Sequence, residues 1–420
     1  MTSLGKYELH EKIGQGGFST VYRATHKLLE TEVAVKVLNQ ERLHDPIARE
    51  RMLLEAKTAA SLKHPHIVAI FDLIQEDETL AIAMQYLPAG NLRKWLEQNQ
   101  PNLNEKLSIL DQLAEALDYI HSQKQPSERP LLHRDIKPEN VLMDSNPVTA
   151  MPIARISDFG LVFDPQEASH LTQAQGIPGT AYYISPELVE GLSRNALDGR
   201  SDQYSLAVMA YELLCGVHPF TGNDPIAIMG KRLETEPEQP SQVNPDLPVE
   251  FNEPLLKALD KIPENRYLTC ADFTRKLAEA YQASRLRQVR ELIDGAHQSA
   301  KNGDFKTARA QLKQAGELEP SDVRISDASQ VITAQAEQAQ RYAEAVQNWQ
   351  TARQKANAVL DLIPGFPDPQ GILVTLDVRQ PEKPPFNLRN WLLQLSVGIL
   401  LAIPFVLLFF YFAVRWIINR

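Results

Sequence analysis

The sequence predicts an α+β protein in two lobes, followed by a helical region and a single membrane-spanning helix. Three observations carry this reading. Strand-like runs crowd the stretch from about residue 7 to 90, whereas residues 91–280 read as mostly helical, with loops rich in Pro, Asn and Asp. Strands first and helices later are the mark of segregated layers. Beyond about residue 282 the composition shifts to Ala, Gln, Glu, Lys and Arg. Finally, "WLLQLSVGILLAIPFVLLFFYFAV" (391–414) runs 24 residues without a charge.

Within the first lobe, "TEVAVKVL" (31–38) alternates with β-branched residues, and "TLAIAMQYL" (79–87) is also strand-like. Between them the apolar residues of "RERMLLEAKTAASL" (49–62) recur at helical intervals. In the later helical region, "AHQSAKNGDFKTARAQLKQAGELEP" (296–320) resembles one tetratricopeptide unit, and a poorer copy is expected through 336–364. A helical stalk or short coiled coil is the competing reading. Residues 364–390 carry six prolines and read as a semi-rigid linker. The expected boundaries are therefore 7–280, 282–363, 364–390, 391–414 and a short tail at 415–420.

As a helix, 391–414 reaches about 36 Å, enough for a ~30 Å hydrocarbon core. Pro404 is tolerated in a membrane span, and Trp391, Tyr411 and Trp416 lie near its ends, where amphipathic rings favour the interface. The N-terminus lacks an apolar h-region, so no signal peptide is expected. The composition is 43% hydrophobic and 23% charged over 420 residues, ordinary for a globular protein. A formal charge of −10 argues against nucleic acid as a partner. Two cysteines, Cys215 and Cys270, with no CxxC pairing, exclude a disulfide framework or a cysteine-rich zinc site and suit a reducing compartment.

The chemistry is carried by five stretches in order. "KIGQGGFSTVYRA" (12–24) sets Gly14, Gly16 and Gly17 between two strand-like runs, where backbone amides can approach an anion closely. On its own this loop is a phosphate cradle or a hairpin turn. Ser19 stands where a dinucleotide fingerprint needs glycine, and no Walker A sequence occurs. "VAVK" (33–36) puts Lys36 on an apolar strand, where a charge is costly unless paired, and Glu55 on the following helix is the natural partner. "LLHRDIKPEN" (131–140) then clusters His133, Arg134, Asp135, Lys137 and Asn140, and "DFG" follows at 158–160. Two carboxylates and an amide on adjacent loops suit a hard magnesium ion.

With "GTAYYISPE" (179–187), this order of motifs resembles the protein-kinase signature set, and the chain is most similar to bacterial membrane-anchored, eukaryotic-like (Hanks-type) Ser/Thr kinases. The resemblance covers roughly residues 7–280 and implies a bilobal kinase fold, ATP with Mg2+ or Mn2+, and protein substrates. It implies that Gly14, Gly16 and Gly17 cover the ATP phosphates. Lys36 would hold the α- and β-phosphates and pair with Glu55. Asp135 would take the substrate hydroxyl proton, Lys137 would steady the transferring group, and Asn140 and Asp158 would bind the metal. Ile13, Val21, Ala34 and Leu142 would sandwich the adenine, with Met84 as gatekeeper beside a hinge at 85–87.

Further implications are structural and regulatory. Glu187 is expected to pair with Arg266, and Asp202 to anchor the catalytic loop. Ser169 and Thr172 are the expected autophosphorylation sites, and Thr180 is expected to line the substrate site. His64 and His66 read as a loop, not as metal ligands. Ser185 replaces the usual alanine of the APE motif, and Gln85 a common hinge glutamate. A membrane-tethered pseudokinase scaffold is the rival from another class, but such scaffolds usually lack one of Lys36, Asp135 or Asp158. ATP use would place residues 1–390 in the cytoplasm and a single-pass anchor in the plasma membrane. The helical region is a candidate partner surface.

Overall fold

In a computed structural model, the structure describes residues 2–76, 79–123, 130–145, 151–158, 182–191, 197–222, 225–362 and Pro381. The chain forms two units, Met1–Arg285 and Leu286–Arg420.

The first unit opens with strands β1 (Thr2–Leu4), β2 (Tyr7–Gln15), β3 (Ser19–His26) and β4 (Glu32–Leu38). Helix α1 (Pro46–Ser61) comes next, then β5 (Ile70–Glu76) and β6 (Thr79–Gln85). The six strands form one antiparallel sheet in the order β1-β2-β3-β4-β6-β5. Side chains alternate across its faces. Val33 and Val35 of β4 therefore join Leu9, Ala24 and Ala83 in one buried cluster. Leu80 and Ile82 of β6 face the other way and pack on Ala48, Met52 and Ala56 of α1. Helix α1 starts at Pro46 because Asp45 caps it, its carboxylate accepting the Ile47 and Ala48 N–H groups.

The remainder of this unit contains α2 (Leu92–Gln98), α3 (Leu103–Ser122), a hairpin of β7 (Val141–Ser145) and β8 (Pro152–Ile156), and α4 (Pro186–Val189). Further on are α5 (Arg200–Cys215), α6 (Pro225–Glu234), α7 (Pro240–Val243) and α8 (Asn252–Ala258). The β7–β8 hairpin lies inside the stretch expected to be helical. Short runs such as "VLMDS" are too brief to show a period, and pairing across a loop decides their state. Helix α5 is buried along almost its whole length, and its apolar side chains join those of α3 in the largest core. The bidentate Glu187–Arg266 pair, 2.9 Å at each nitrogen, braces this core, with Ser201 Oγ also donating to Glu187.

Helix α9 (Cys270–Lys301) belongs to both units, and α10 (Phe305–Leu318) and α11 (Val323–Leu362) follow it. In the second unit, Val289, Ile293 and Ala296 of α9 cluster with Ala308, Leu312 and Ala315 of α10 and Ala328 and Ile332 of α11. Gly303, with φ of 81°, makes the α9–α10 turn, and Asp304 caps α10 through the Thr307 N–H. The helix–turn–helix at 296–320 is thus present. The second copy expected through 336–364 is not, because α11 runs unbroken through that stretch to Leu362. No Gly or Pro interrupts α11 between Val323 and Leu362, so nothing forces the turn a repeat needs. Among the described residues no helix is long and apolar enough to cross a membrane; the expected span at 391–414 and the linker before it, Pro381 apart, lie outside them.

Candidate active site

The residues singled out from the sequence line one cleft of about 1000 Å³ in the first unit. Its roof is the β2–β3 loop. Gly14, Gly16 and Gly17 have no left-handed φ there, and a Cβ on Gly14 or Gly16 would come no closer than 3.7 Å to a neighbour, with nothing within 4 Å of one on Gly17. The fold alone therefore does not demand these glycines, and the space beside them would admit close approach of a ligand. Apolar side chains of Ile13, Val21, Ala34, Met84 and Leu142 pack as one cluster with Leu87. Strand alternation sets Ala34 and Lys36 on the same face of β4, opposite Val33 and Val35.

Lys36 Nζ donates to Glu55 Oε1 at 2.6 Å and to Asp158 Oδ1 at 2.7 Å. Burial opposes the ammonium charge, but Asp158 and Glu55 outweigh it and hold Lys36 above its ordinary pKa. Burial likewise pushes the Asp158 carboxyl up, and Lys36 overcomes that to leave it below the usual carboxylate range. Asp158 sits at φ of 55° and Arg134 at 68°, a left-handed backbone that costs a non-glycine residue about 1–2 kcal/mol. Strain of this kind gathers at functional loops.

Below, the short 3-10 turn Pro138–Asn140 and the preceding loop shape the floor. Lys137 Nζ donates to both Asp135 carboxylate oxygens, at 2.9 and 2.7 Å. Asn140 Nδ2 donates to the Asp135 backbone oxygen and to its Oδ2, each at 2.8 Å. The loop is held from beneath by Asp202 of α5, whose carboxylate accepts the His133 and Arg134 N–H groups at 2.8 and 2.7 Å. His121 Nε2 lies 2.8 Å from the same carboxylate. His133 is fully buried, its Nε2 3.1 Å from the Ser157 carbonyl, and burial keeps it below its ordinary pKa and hence neutral. The resulting ring of Asp135, Asn140 and Asp158 offers oxygen donors beside a buried lysine, a donor set that fits a hard divalent cation.

Some residues of this region carry no local signal in the sequence. His121 reaches Asp202 across 81 residues, and Arg93 joins Glu139, Glu212 and Tyr183 across 46, 119 and 90. His64 and His66 serve packing: His64 stacks on Tyr119, and His66 Nδ1 lies 3.0 Å from the Ala154 carbonyl. Phe159, Gly160, Ser169, Thr172 and Thr180 lie outside the described residues.

Comparison with known proteins agrees with this geometry. Residues 7–293 match the protein kinase domain family. The serine/threonine-protein kinase PrkC of Bacillus subtilis is 32% identical over 316 residues, covering 75% of this chain and 46% of PrkC. PknB of Mycobacterium leprae is 34% identical over 295 residues, covering 69% and 45%. The chain thus spans about half the length of the curated relatives it matches. The crystal structure of the Mycobacterium tuberculosis PknI kinase domain matches with a TM-score of 0.51 and 28% identity, covering 67% of this chain and 98% of that one. With the family match spanning more than half of the sequence and both walls of the cleft, the chain belongs to the protein kinase family.

Proposed function

We propose that the protein is a serine/threonine protein kinase that moves the γ-phosphoryl group of ATP to Ser or Thr hydroxyls of proteins. The observation that carries this reading is the convergence of Lys36–Glu55–Asp158 and Asp135–Lys137–Asn140 on one cleft. Phosphoryl transfer passes through a loose transition state, so positioning and charge neutralisation do most of the work. Asp135 orients the incoming hydroxyl and accepts its proton, while the bond from the γ-phosphorus to the ADP oxygen breaks and a new one forms to the hydroxyl oxygen. Lys137, held on Asp135, offers its positive charge to the transferring group. Lys36, fixed by Glu55, takes the α- and β-phosphates, and the glycine loop closes over them. Ile13, Val21, Ala34 and Leu142 hold the adenine beside Met84. Asn140 and Asp158 would hold magnesium, or manganese, which when bound neutralises phosphate charge.

A pseudokinase scaffold usually lacks one of the three charged groups, and Lys36, Asp135 and Asp158 are all present. Residues 7–280 form the kinase domain in this reading, with a helical region at 282–363 and a linker at 364–390. Residues 391–414 anchor the protein in the plasma membrane with the kinase domain cytoplasmic, and Ser169 and Thr172 are autophosphorylated; uncharged length and loop composition support these assignments. The test is incubation of the full chain with labelled ATP, magnesium and a mixed protein substrate, followed by phosphoamino-acid analysis. Label on Ser and Thr is expected; label confined to Tyr, or none, contradicts the reading.

A further inference from the structure

On the kinase reading, a substrate that offers a hydroxyl to Asp135 lies across the mouth of the cleft, and the charges there select its neighbouring residues. Two carboxylates stand in this region. Glu139 follows Asp135 in the same loop and lines the same cleft, and Glu212 projects from α5. One guanidinium engages both. Arg93, in the first turn of α2, donates from Nε to Glu139 Oε1 at 3.1 Å and from Nη1 to Glu212 Oε1 at 2.6 Å. Its Nη2 donates to Tyr183 Oη at 2.5 Å, and the Tyr183 hydroxyl donates in turn to Glu212. Tyr183 belongs to the segment that leads into α4.

The ion pairs are only partly buried: the Arg93, Glu139 and Glu212 side chains are 36%, 40% and 21% exposed. Ion pairs this accessible add little stability, so bracing alone is a weak account of an arginine shared by three side chains. The second Glu139 oxygen, Oε2, is shielded from water and has no hydrogen-bond partner among the described residues, so Glu139 meets Arg93 through Oε1 alone. Without Arg93 the two carboxylates would present two negative charges to an incoming peptide. With it they present one, and all three guanidinium nitrogens are already engaged by the two acids and the Tyr183 hydroxyl.

We propose that Arg93 is a specificity-determining residue, a built-in arginine that fills an acidic subsite beside the catalytic loop and turns the enzyme away from substrates with basic residues near the phosphoacceptor. An arginine side chain from a peptide would compete with Arg93 for the same oxygens. A neutral neighbour would not.

The test uses the full chain with magnesium-ATP and a set of short peptides, each with one central Ser and either Arg or Gln at one flanking position in turn. Transfer rates give the Arg-to-Gln ratio of kcat/KM, and fluorescence anisotropy of labelled peptides gives the same ratio for binding without turnover. The wild type is expected to show ratios within about threefold of one at every position. Arg93→Gln is expected to raise the ratio about tenfold at one or more positions, and Arg93→Gln with Glu212→Gln to bring it back. A folded Arg93→Gln protein with unchanged ratios overturns the proposal. So does a wild type that already prefers Arg about tenfold and loses this with Glu212→Gln; that comparison decides the matter alone if Arg93→Gln does not fold. Absence of transfer to every peptide counts against the kinase reading itself, while the binding ratios still judge the role of Arg93.

Discussion

Lys36 holds two carboxylates at once, and each of the three charges is tolerable in the cleft only because of the others. Replacing Lys36 by Met leaves Glu55 and Asp158 facing one another, so nucleotide affinity and transfer should fall together, with transfer reduced about 10²–10⁴-fold. Titration calorimetry beside a transfer assay checks this; affinity kept intact would contradict it. The buried acids and histidines also set a pH dependence. Burial holds His133 below 6.5, and also His218, whose ring lies between the Phe220 and Tyr182 carbonyls at 2.8 and 2.6 Å, so the unfolded chain takes up protons that the folded chain refuses as pH falls from about 6.5. Burial raises the Glu187 carboxyl, but Arg266 and Ser201 outweigh it and leave the group below 4.5. Its contribution is therefore complete above pH 4.5 and is lost as pH falls through the folded value. Thermal unfolding should show Tm declining below about pH 6.5 and again below about 4.5, with the second decline weakened in Glu187→Gln. A Tm that rises on acidification would contradict both assignments.

Among the elements, the β2–β3 loop and the floor loop behave differently toward substitution. A methyl group at Gly16 meets nothing closer than 3.7 Å, so Gly16→Ala should fold with a stability change within about 1 kcal/mol. Its effect should fall on ATP affinity, measured by calorimetry; equal affinity would mean the loop does not approach the phosphates. The floor loop depends instead on Asp202, which is fully buried and accepts two backbone N–H groups. Asp202→Ala strands those donors and should cost about 3–5 kcal/mol by chemical denaturation. These contrasts explain what could be read from the sequence. The glycines, Lys36 and Asp135 stand in short local patterns whose chemistry is visible without a fold. Arg93, Glu212 and His121 reach partners many residues away, and nothing near them in sequence marks those contacts. The β7–β8 hairpin escaped for a related reason: its pairing, not its composition, makes it a sheet.

At the scale of the whole molecule, alternation and helical spacing sufficed for β4, β6 and α1, because β4 and β6 each have one face in one core cluster and the other face in a second. Beyond residue 282 the shift to Ala, Gln, Glu, Lys and Arg marks a boundary, and the chain divides between Arg285 and Leu286. The division falls within one helix, α9, since good helix formers on both sides keep the backbone helical. The same propensity carries α11 through the expected second repeat. On the kinase reading, chemistry as distinct from binding rests on one side chain, Asp135. Magnesium-dependent ATP binding and phosphate transfer are measured side by side on the full chain and on Asp135→Asn. Binding within about threefold of wild type, with transfer reduced about 10²–10⁴-fold, is the predicted result. Undiminished transfer by Asp135→Asn would contradict the account.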